Sequence, residues 1–450
     1  MSSYAGQKIV IVGAGQTGLA LASYFVAQGA HVTLSDRRER GAIKGIEQLN
    51  EHAVHYDLGG HDPQEFTQAN LVVISPGVPL DTPAVAAALA AGVPVVGEVE
   101  IAARELNVPI IGITGTNGKS TVTTLLGEIY RAWGKNPFVG GNLGTPLISA
   151  VGTEWDVAVV ELSSFQLEAL TQFHVDVAML LNVSEDHLDR YPDMDSYIAA
   201  KAHLFDRQQE SDIAVINGDD PQAMAAVHGK ARRVVFQSSR VPEEGIGYDG
   251  KRIVWNYQGQ ELSFDCAELQ LPGLHNVENV MAALIPALLD GCPGETAWQA
   301  VCAFRGLPHR MQVVRKLDGV TWYNDSKGTN VGSVVKSLAG LEAPVTLIAG
   351  GKDKGGEYAP LCGLLKEKVP HLLLIGEASD RMSRELADCS AIEVCSDLRA
   401  AVIRAHELTP KGGAVLLSPG CSSFDMFKSF EERGELFSAE VMSLCARDEG

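Results

Sequence analysis

Ile110-Ile111-Gly112-Ile113-Thr114-Gly115-Thr116-Asn117-Gly118-Lys119-Ser120-Thr121 is the stretch whose reading decides the fold. An apolar strand, Val108 to Ile113, runs into a loop carrying Gly115, Thr116, Asn117 and Gly118. A helical segment then opens on Lys119, Ser120 and Thr121 and ends near Gly134. Glycines let backbone N–H groups approach phosphate oxygens, the helix N-terminus adds positive potential, a lysine reaches the outer phosphates and a hydroxyl can hold Mg²⁺. The general phosphate-loop pattern has a glycine five residues before Gly118, where this chain has Ile113, so the loop is a variant with its glycine at Gly115. A plain glycine-rich turn has no need of the Gly-Lys-Ser-Thr run. The stretch reads as an ATP site on an α/β sheet, with Lys119 as its catalytic cation.

Upstream, the apolar strand Lys8 to Val12 precedes Gly13-Ala14-Gly15-Gln16-Thr17-Gly18 and a helical pattern running to Gly29. A second strand, His31 to Leu34, ends at Ser35-Asp36-Arg37-Arg38. This is the dinucleotide-binding fingerprint with its acidic residue, which puts a diphosphate at the helix start and Asp36 near a ribose. NAD and any other nucleoside diphosphate fit it equally, and Arg37 and Arg38 serve a phosphate or are solvated surface. A third strand, Leu71 to Ile74, ends in Ser75-Pro76-Gly77-Val78-Pro79, at the sheet edge where ligands lie. The alanine-rich helix Ala84 to Ala91 and the strand at Val93 to Gly97 close this domain near Glu98.

Downstream, each apolar strand delivers a polar cluster. Val157 to Val160 leads to Glu161, Ser163, Ser164 and Gln166; Val177 to Leu181 leads to Asn182, Glu185, Asp186 and His187; Ile213 to Ile216 leads to Asn217, Asp219 and Asp220. With the phosphate loop on the same edge, Glu161 and His187 are candidate Mg²⁺ ligands, although a single strand-end Glu or His is more often a cap or surface group. Arg232 to Phe264 reads as a small antiparallel excursion punctuated by glycines. His275-Asn276-Val277-Glu278-Asn279 leads into a helix from Val280 to Leu289, so the asparagines cap that helix or touch the nucleotide. Phe304 to Arg310 is a linker. A third α/β unit follows, with strands ending at Asn324 to Asn330, Gly350 to Lys354, Gly376 and Ser418 to Ser423.

At 450 residues the chain is too long for one core and suggests about three domains. The expected boundaries are 1–98, a Rossmann-like domain; 99–306, a central ATPase domain of the phosphate-loop type; and 307–450, a second Rossmann-like domain. Hydrophobic content of 46% with 20% charged residues is ordinary globular composition. No apolar run approaches the roughly 18 residues of a membrane span, and the first residues lack the pattern of a secretory signal, so a cytoplasmic protein is expected. Eight cysteines without a Cys-x-x-Cys pair read as reduced, mostly buried thiols. A formal charge of −20 argues against nucleic acid or an anionic membrane as partner. Small anionic substrates and a monomeric chain are expected instead. Taken alone, the N-terminal fingerprint also admits a nicotinamide oxidoreductase, and the phosphate loop a non-catalytic nucleotide-binding scaffold.

Thr114 to Thr121, Glu161 to Glu168, Asn182 to Arg190, Leu307-Pro308-His309-Arg310 and Asn324-Asp325-Ser326-Lys327 together resemble the Mur ligase family of peptidoglycan synthesis, over essentially the whole chain. The short fingerprint domain and Ser418-Pro419-Gly420-Cys421-Ser422-Ser423 to Lys428 are similar to its D-glutamate-adding branch. The resemblance implies that the first domain takes a UDP-sugar rather than NAD. It also implies that ATP phosphorylates the carboxylate of UDP-MurNAc-L-alanine and that the amine of D-glutamate then displaces phosphate. It assigns Gly15, Gln16, Thr17, Asp36, Arg37, Arg38, Ser75, Gly77, Asn142, Ser163 and Gln166 to the UDP-substrate. ATP falls to Gly115 through Thr121 with Asn276, Asn279, Arg310 and Asp325, and D-glutamate to Thr329, Lys354, Ser423 and Phe430. Two Mg²⁺ ions fall to Thr116, Ser120, Glu161, His187 and Lys201.

Lys201 carries a further expectation. Asp195 to Asp206 reads as a helix on which Tyr197, Ile198, Leu204 and Phe205 share the face of Lys201, an inward place that a lysine normally avoids. Either it snorkels or pairs with a carboxylate, or its amine adds CO₂ and becomes a carbamate able to hold a metal. The resemblance implies the carbamate, and with it a catalytic role beside Lys119 and His187.

Overall fold

The computed structural model describes residues 4–49, 53–187, 190–271, 273–342, 344–355 and 357–446. Leu188 and Asp189, which belong to the Asn182 to Arg190 motif, lie outside the described residues, as do Pro272 and Gly356. Three open, mostly parallel sheets follow one another along the chain. The first holds β1 (Lys8–Val12), β2 (His31–Asp36), β3 (Val54–Leu58), β4 (Leu71–Ile74) and β5 (Val95–Gly97), in the order β3-β2-β1-β4-β5. Its order reverses between β1 and β4, and the glycine-rich loop after β1 therefore opens onto the crevice. Gly18 is needed there because a Cβ on it would stand 1.8 Å from the Gly13 carbonyl oxygen. β3 was not foreseen: its Val54-His55-Tyr56-Asp57-Leu58 sequence is half polar because it is an edge strand.

The second sheet holds β6 (Ile110–Thr114), β7 (Pro137–Gly141), β8 (Val157–Glu161), β9 (Val177–Leu180), β10 (Ile213–Asn217), β11 (Arg232–Gln237), β12 (Gly245–Tyr248), β13 (Arg252–Tyr257) and β14 (Gln260–Asp265). The order is β14-β13-β12-β11-β10-β9-β6-β8-β7. The expected excursion is thus not separate: β11 pairs parallel with β10 and β12 parallel with β11, and only the β12–β13 and β13–β14 pairings are antiparallel, as an extension of the same sheet. β6 lies between β8 and β9, so Glu161 and Asn182 flank the phosphate loop on the carboxyl edge. The helix expected from Val280 begins earlier, at Leu274, with Gly273 as its cap. Asn276 and Asn279 therefore sit within its first two turns, and the capping reading is corrected.

The third sheet holds β15 (Gln312–Leu317), β16 (Val320–Asn324), β17 (Val345–Gly350), β18 (His371–Ile375), β19 (Ala391–Val394) and β20 (Ala414–Leu417), in the order β15-β16-β20-β17-β18-β19. Cys362 and Cys389 are joined as a disulfide, which corrects the expectation of eight free thiols. Folding brings their Cα atoms to 5.2 Å although they lie 27 residues apart, within the reach of such a bond. No described helix is long and apolar enough to cross a membrane.

The helix Glu98–Glu105 ties the first sheet to the second. Its Glu100 accepts from the backbone N–H groups of Thr171, Gln172 and Phe173, and Glu98 accepts from Ile148 N–H at 2.6 Å. One apolar core runs across this junction, from Ile9 and Phe25 to Val160 and Leu180. The third domain buries separate cores on the two faces of its own sheet, so it meets the others through polar contacts at strand ends.

Candidate active site

The phosphate loop is held open by its neighbours. Asn182, at the end of β9, accepts from Thr116 N–H on its carbonyl and from Asn117 N–H on its side chain, and donates back to the Asn117 carbonyl. Gly118 has φ +88°, and a Cβ there would lie 2.3 Å from Asn279 Oδ1, so helix Leu274–Leu289 closes directly on the loop. Lys119 Nζ donates to the carbonyls of Gly115 and Thr116, each at 2.9 Å. Burial lowers its pKa, and the charges of Glu161 and Asp186 oppose that shift. Asn182 was quoted from the sequence without a role; its place directly after an apolar strand was the available signal.

Glu161 is 3% exposed. Its Oε1 accepts from Asn142 Nδ2 at 2.7 Å, while Oε2 is buried without a hydrogen-bond partner. Leaving a buried carboxylate oxygen unmatched costs about 1–3 kcal/mol or more, and a hard cation is the partner such an oxygen suits. Lys119, Lys327 and Arg310 all feel its charge. Among the described residues no three His, Cys, Asp or Glu side chains gather into a metal cluster. The donor set fits Mg²⁺, which takes one or two carboxylates and fills its remaining positions with phosphate and water oxygens.

The other expected metal residues divide. Ser120 Oγ accepts from Lys327 Nζ at 2.8 Å. Thr116 Oγ1 is committed to the neighbouring loop, donating to the Ser184 carbonyl and accepting from Ser184 N–H. His187 has φ +57° and packs edge-on against Phe165. Lys201 stands on the helix Met194–Ala202, is 1% exposed, donates to the Gly115 carbonyl at 3.0 Å and lies 4.3 Å from the centre of the Tyr197 ring. Among the described residues no carboxylate lies within ion-pair distance of it, and its burial keeps the amine from solvent. Burial, and after it the charge of Lys119, pushes its pKa well down.

The third domain reaches across. Besides Lys327 on Ser120, Ser333 Oγ donates to Asn117 Oδ1 at 2.7 Å, Asn330 Nδ2 donates to Asp186 Oδ2 at 2.9 Å, and Lys354 Nζ lies 3.7 Å from Asp186 Oδ1. The seam between the domains keeps only about 30 Å³ of free space, lined by Asn117, Asn279, Arg310, Asp325 and Lys327 among others. Arg310 Nε is buried there without a hydrogen-bond partner. Asp325 is fully engaged: Oδ2 accepts from Ser337 and Ser418, and Oδ1 from Met311 N–H. Asn276 faces Asn279, which donates to its Oδ1 at 3.3 Å.

A second cavity, of about 350 Å³, adjoins this seam and is lined by Asp186, His187, Thr329, Asn330, Lys354 and Tyr358 among others. Of the residues expected to hold D-glutamate, Thr329 and Lys354 line it. Ser423 and Phe430 do not; Phe430 instead covers Lys327, whose Nζ lies 5.3 Å from its ring centre.

In the first domain a cavity of about 770 Å³ is lined by Ala14, Gly15, Gln16, Arg38 and Lys44 among others. Thr17, Asp36, Arg37, Ser75 and Gly77 are not in its wall. Asp36 turns its carboxylate back to the loop: Oδ2 accepts from Ala14 N–H at 2.7 Å and both oxygens pair with Arg38. Ser75 Oγ donates to the Gly13 carbonyl. Asn142, Ser163 and Gln166 lie far along the chain at the ends of β7 and β8. Ser163 and Gln166 cap their own helix, each taking the other's backbone N–H.

Fold and loops together define an α/β nucleotide enzyme of three domains, and this chain belongs to the Mur ligase family. The Mur ligase middle domain matches residues 113–287, the Mur ligase MurD-like N-terminal domain residues 7–97 and the Mur ligase, glutamate ligase domain residues 309–421. The chain is 58% identical over 446 residues to the UDP-N-acetylmuramoylalanine--D-glutamate ligase of Syntrophotalea carbinolica, covering 99% of each chain. It is 51% identical over 443 residues to the enzyme of the same name from Geotalea uraniireducens, covering 97% of this chain and 98% of that one. Among solved structures it resembles a pseudomurein peptide ligase type C from Methanothermus fervidus and UDP-N-acetylmuramate-alanine ligase MurC from Thermotoga maritima. Each has a TM-score of 0.61 at 18% identity, covering 97% of this chain and 99% of the other, a likeness of fold.

Proposed function

We propose that this protein is an ATP-dependent ligase that joins D-glutamate to UDP-N-acetylmuramoyl-L-alanine in the cytoplasmic synthesis of cell-wall precursors. The observation that carries the reading is the phosphate loop lying beside a 350 Å³ pocket that holds Lys354 and Asp186, a cation for a carboxylate and an anion for an ammonium. The 58% identity to a ligase of that name supports it. The UDP end belongs in the cavity at Gly15, Gln16 and Arg38.

The carboxylate of the UDP-substrate attacks the γ-phosphorus of ATP, the bond to the β-phosphate oxygen breaks, and ADP leaves an acyl phosphate. The amine of D-glutamate, having lost its ammonium proton to solvent, then attacks the acyl carbon; the C–O bond to phosphate breaks, inorganic phosphate leaves, and one further amine proton passes to solvent or the departing phosphate while the last stays as the amide N–H. Little of this needs a protein nucleophile, so positioning and charge neutralisation dominate. Lys119 and Lys327 meet the phosphates from opposite domains, Arg310 supports them, and Asp186 with Lys354 orients the amino acid. Mg²⁺ supplies further neutralisation of phosphate charge when bound, with Glu161 and Ser120 as the residues that would hold one ion. A carbamate on Lys201 with His187 would hold a second.

Because only about 30 Å³ is free at the seam, roughly the space of one water, ATP enters when the third domain swings away and its polar contacts break. The deciding experiment is phosphate release with ATP, UDP-N-acetylmuramoyl-L-alanine and each of D-glutamate, L-glutamate and L-lysine. Release is expected with D-glutamate alone. Equal release with L-lysine would reject the substrate assignment.

A further inference from the structure

The loop that carries Lys354 is held by a hub that this chemistry does not use. Asp353 Oδ1 accepts from Gly355 N–H at 2.9 Å and from the Tyr358 hydroxyl at 3.0 Å, and its Oδ2 accepts from Arg381 Nη1 at 2.7 Å. Arg381, on the helix Ser379–Glu385, also holds Glu385 at 2.7 Å and lies over the Tyr358 ring, 5.1 Å from its centre. Tyr358 is 2% exposed, and its hydroxyl meets Cys421 Sγ at 3.2 Å. Cys421 belongs to the loop of Ser423. The two loops are also bridged through their backbones, with Lys352 N–H donating to the Ser422 carbonyl at 2.9 Å and Ser422 N–H to the Lys352 carbonyl at 3.1 Å. One buried hydroxyl therefore touches both loops.

A substrate with two carboxylates at a fixed spacing needs two anchor points at a fixed spacing, and a misplacement of about 1 Å is costly. A buried tyrosine suits this, because its ring leaves the hydroxyl few positions and its partners are fixed. Resting on the amino-acid reading of the pocket, we propose that Tyr358, through Asp353 and Cys421, is a positioning residue. It sets the separation of the Lys354 loop and the loop of Gly420 and Cys421, both of which reach the pocket wall, and with it the length of amino diacid that the pocket accepts.

The test uses full-length Tyr358→Phe, which keeps the ring under Arg381, and Asp353→Asn, which keeps the shape. Without substrate, amide exchange at Lys352, Gly355 and Ser422 should quicken in both variants while the rest of the third sheet is unchanged. Loss of one such bond should raise KM for D-glutamate about tenfold, with kcat and the KM values for ATP and the UDP-substrate within about twofold. Preference for D-glutamate over D-aspartate, one methylene shorter, should fall by a similar factor. Unchanged exchange would overturn the clamp. Quickened exchange with unaltered D-glutamate preference, or an equal rise in all three KM values, would overturn its role in positioning. A wild-type enzyme that consumes no D-glutamate would defeat the substrate reading, while the exchange measurement would still decide the clamp.

Discussion

Lys327 Nζ donates to Ser120 Oγ at 2.8 Å, so a lysine of the third domain rests on the second residue of the phosphate-loop helix. Burial, then the nearby Arg310 charge, brings its pKa down to about 8, which marks how little water reaches the seam. On the proposed reading this ammonium reaches the phosphates from the third domain. Lys327→Met should therefore lower kcat/KM for ATP by about 10²-fold, as removal of a charge-stabilising donor does. Steady-state phosphate release within threefold of wild type would take Lys327 out of the phosphate site.

Lys119 belongs to the loop itself, where it donates to the Gly115 and Thr116 carbonyls. Lys119→Ala should reduce kcat by about 10²–10³, equivalent to roughly 3–4 kcal/mol of barrier. Turnover near wild type would remove the loop from the mechanism.

The two arginines after Asp36 should differ. Arg38 lines the first-domain cavity and chelates Asp36, which in turn holds the Ala14 N–H, whereas Arg37, exposed like Arg38, lies outside the cavity wall. Arg38→Ala should raise KM for the UDP-substrate severalfold more than Arg37→Ala, with KM for ATP unchanged in both. Equal behaviour of the two variants in initial-rate assays would contradict this assignment.

Lys201 is buried beside the phosphate loop, and among the described residues no carboxylate lies within ion-pair distance of it. Lys201→Ala should lose most activity, and added acetate or bicarbonate should restore part of it by occupying the oxygen positions a carbamate would fill. Intact-mass measurement on wild-type protein held at neutral pH checks the modification separately. Rescue by chloride as well as by acetate would reduce the effect to ionic strength.

Glu98 gives a pH signature in stability. Burial pushes its pKa up from 4.5 to about 7, against the opposing hydrogen bonds from Ile148 and Leu147 N–H. The folded state holds this proton more tightly than the unfolded state, so the stability it contributes is complete below pH 4.5 and is lost as the pH rises to about 7. Glu98→Gln cannot titrate. Its stability relative to wild type should rise between pH 4.5 and pH 7.5 by up to about 3 kcal/mol, read from urea unfolding at both values. A difference that does not change with pH would mean that Glu98 ionises freely in the folded protein.

Local sequence determined the parts of this protein. Gly13 to Gly18 and Gly115 to Thr121 are contiguous, and their chemistry follows from backbone freedom and helix termini within a few residues, so both cradles were legible. Apolar runs that end in polar clusters also fixed most strands and the edge on which the site lies, because a strand's period and its end are local properties. What lies across the sheets was not local. Asn182 locks Asn117 from 65 residues away, and Asp186 meets Asn330 from 144 away. Strand order decided which loop ends face each other, and so turned Asp36 toward the Ala14 N–H and joined β11 to the central sheet, whereas the cap that takes Ser163 and Gln166, three residues apart, was local and went unread. The docking of the third domain decided the rest: it put Lys327 on Ser120 and Lys354 beside Asp186, because polar strand-end groups from separately cored domains satisfy one another only once those domains meet.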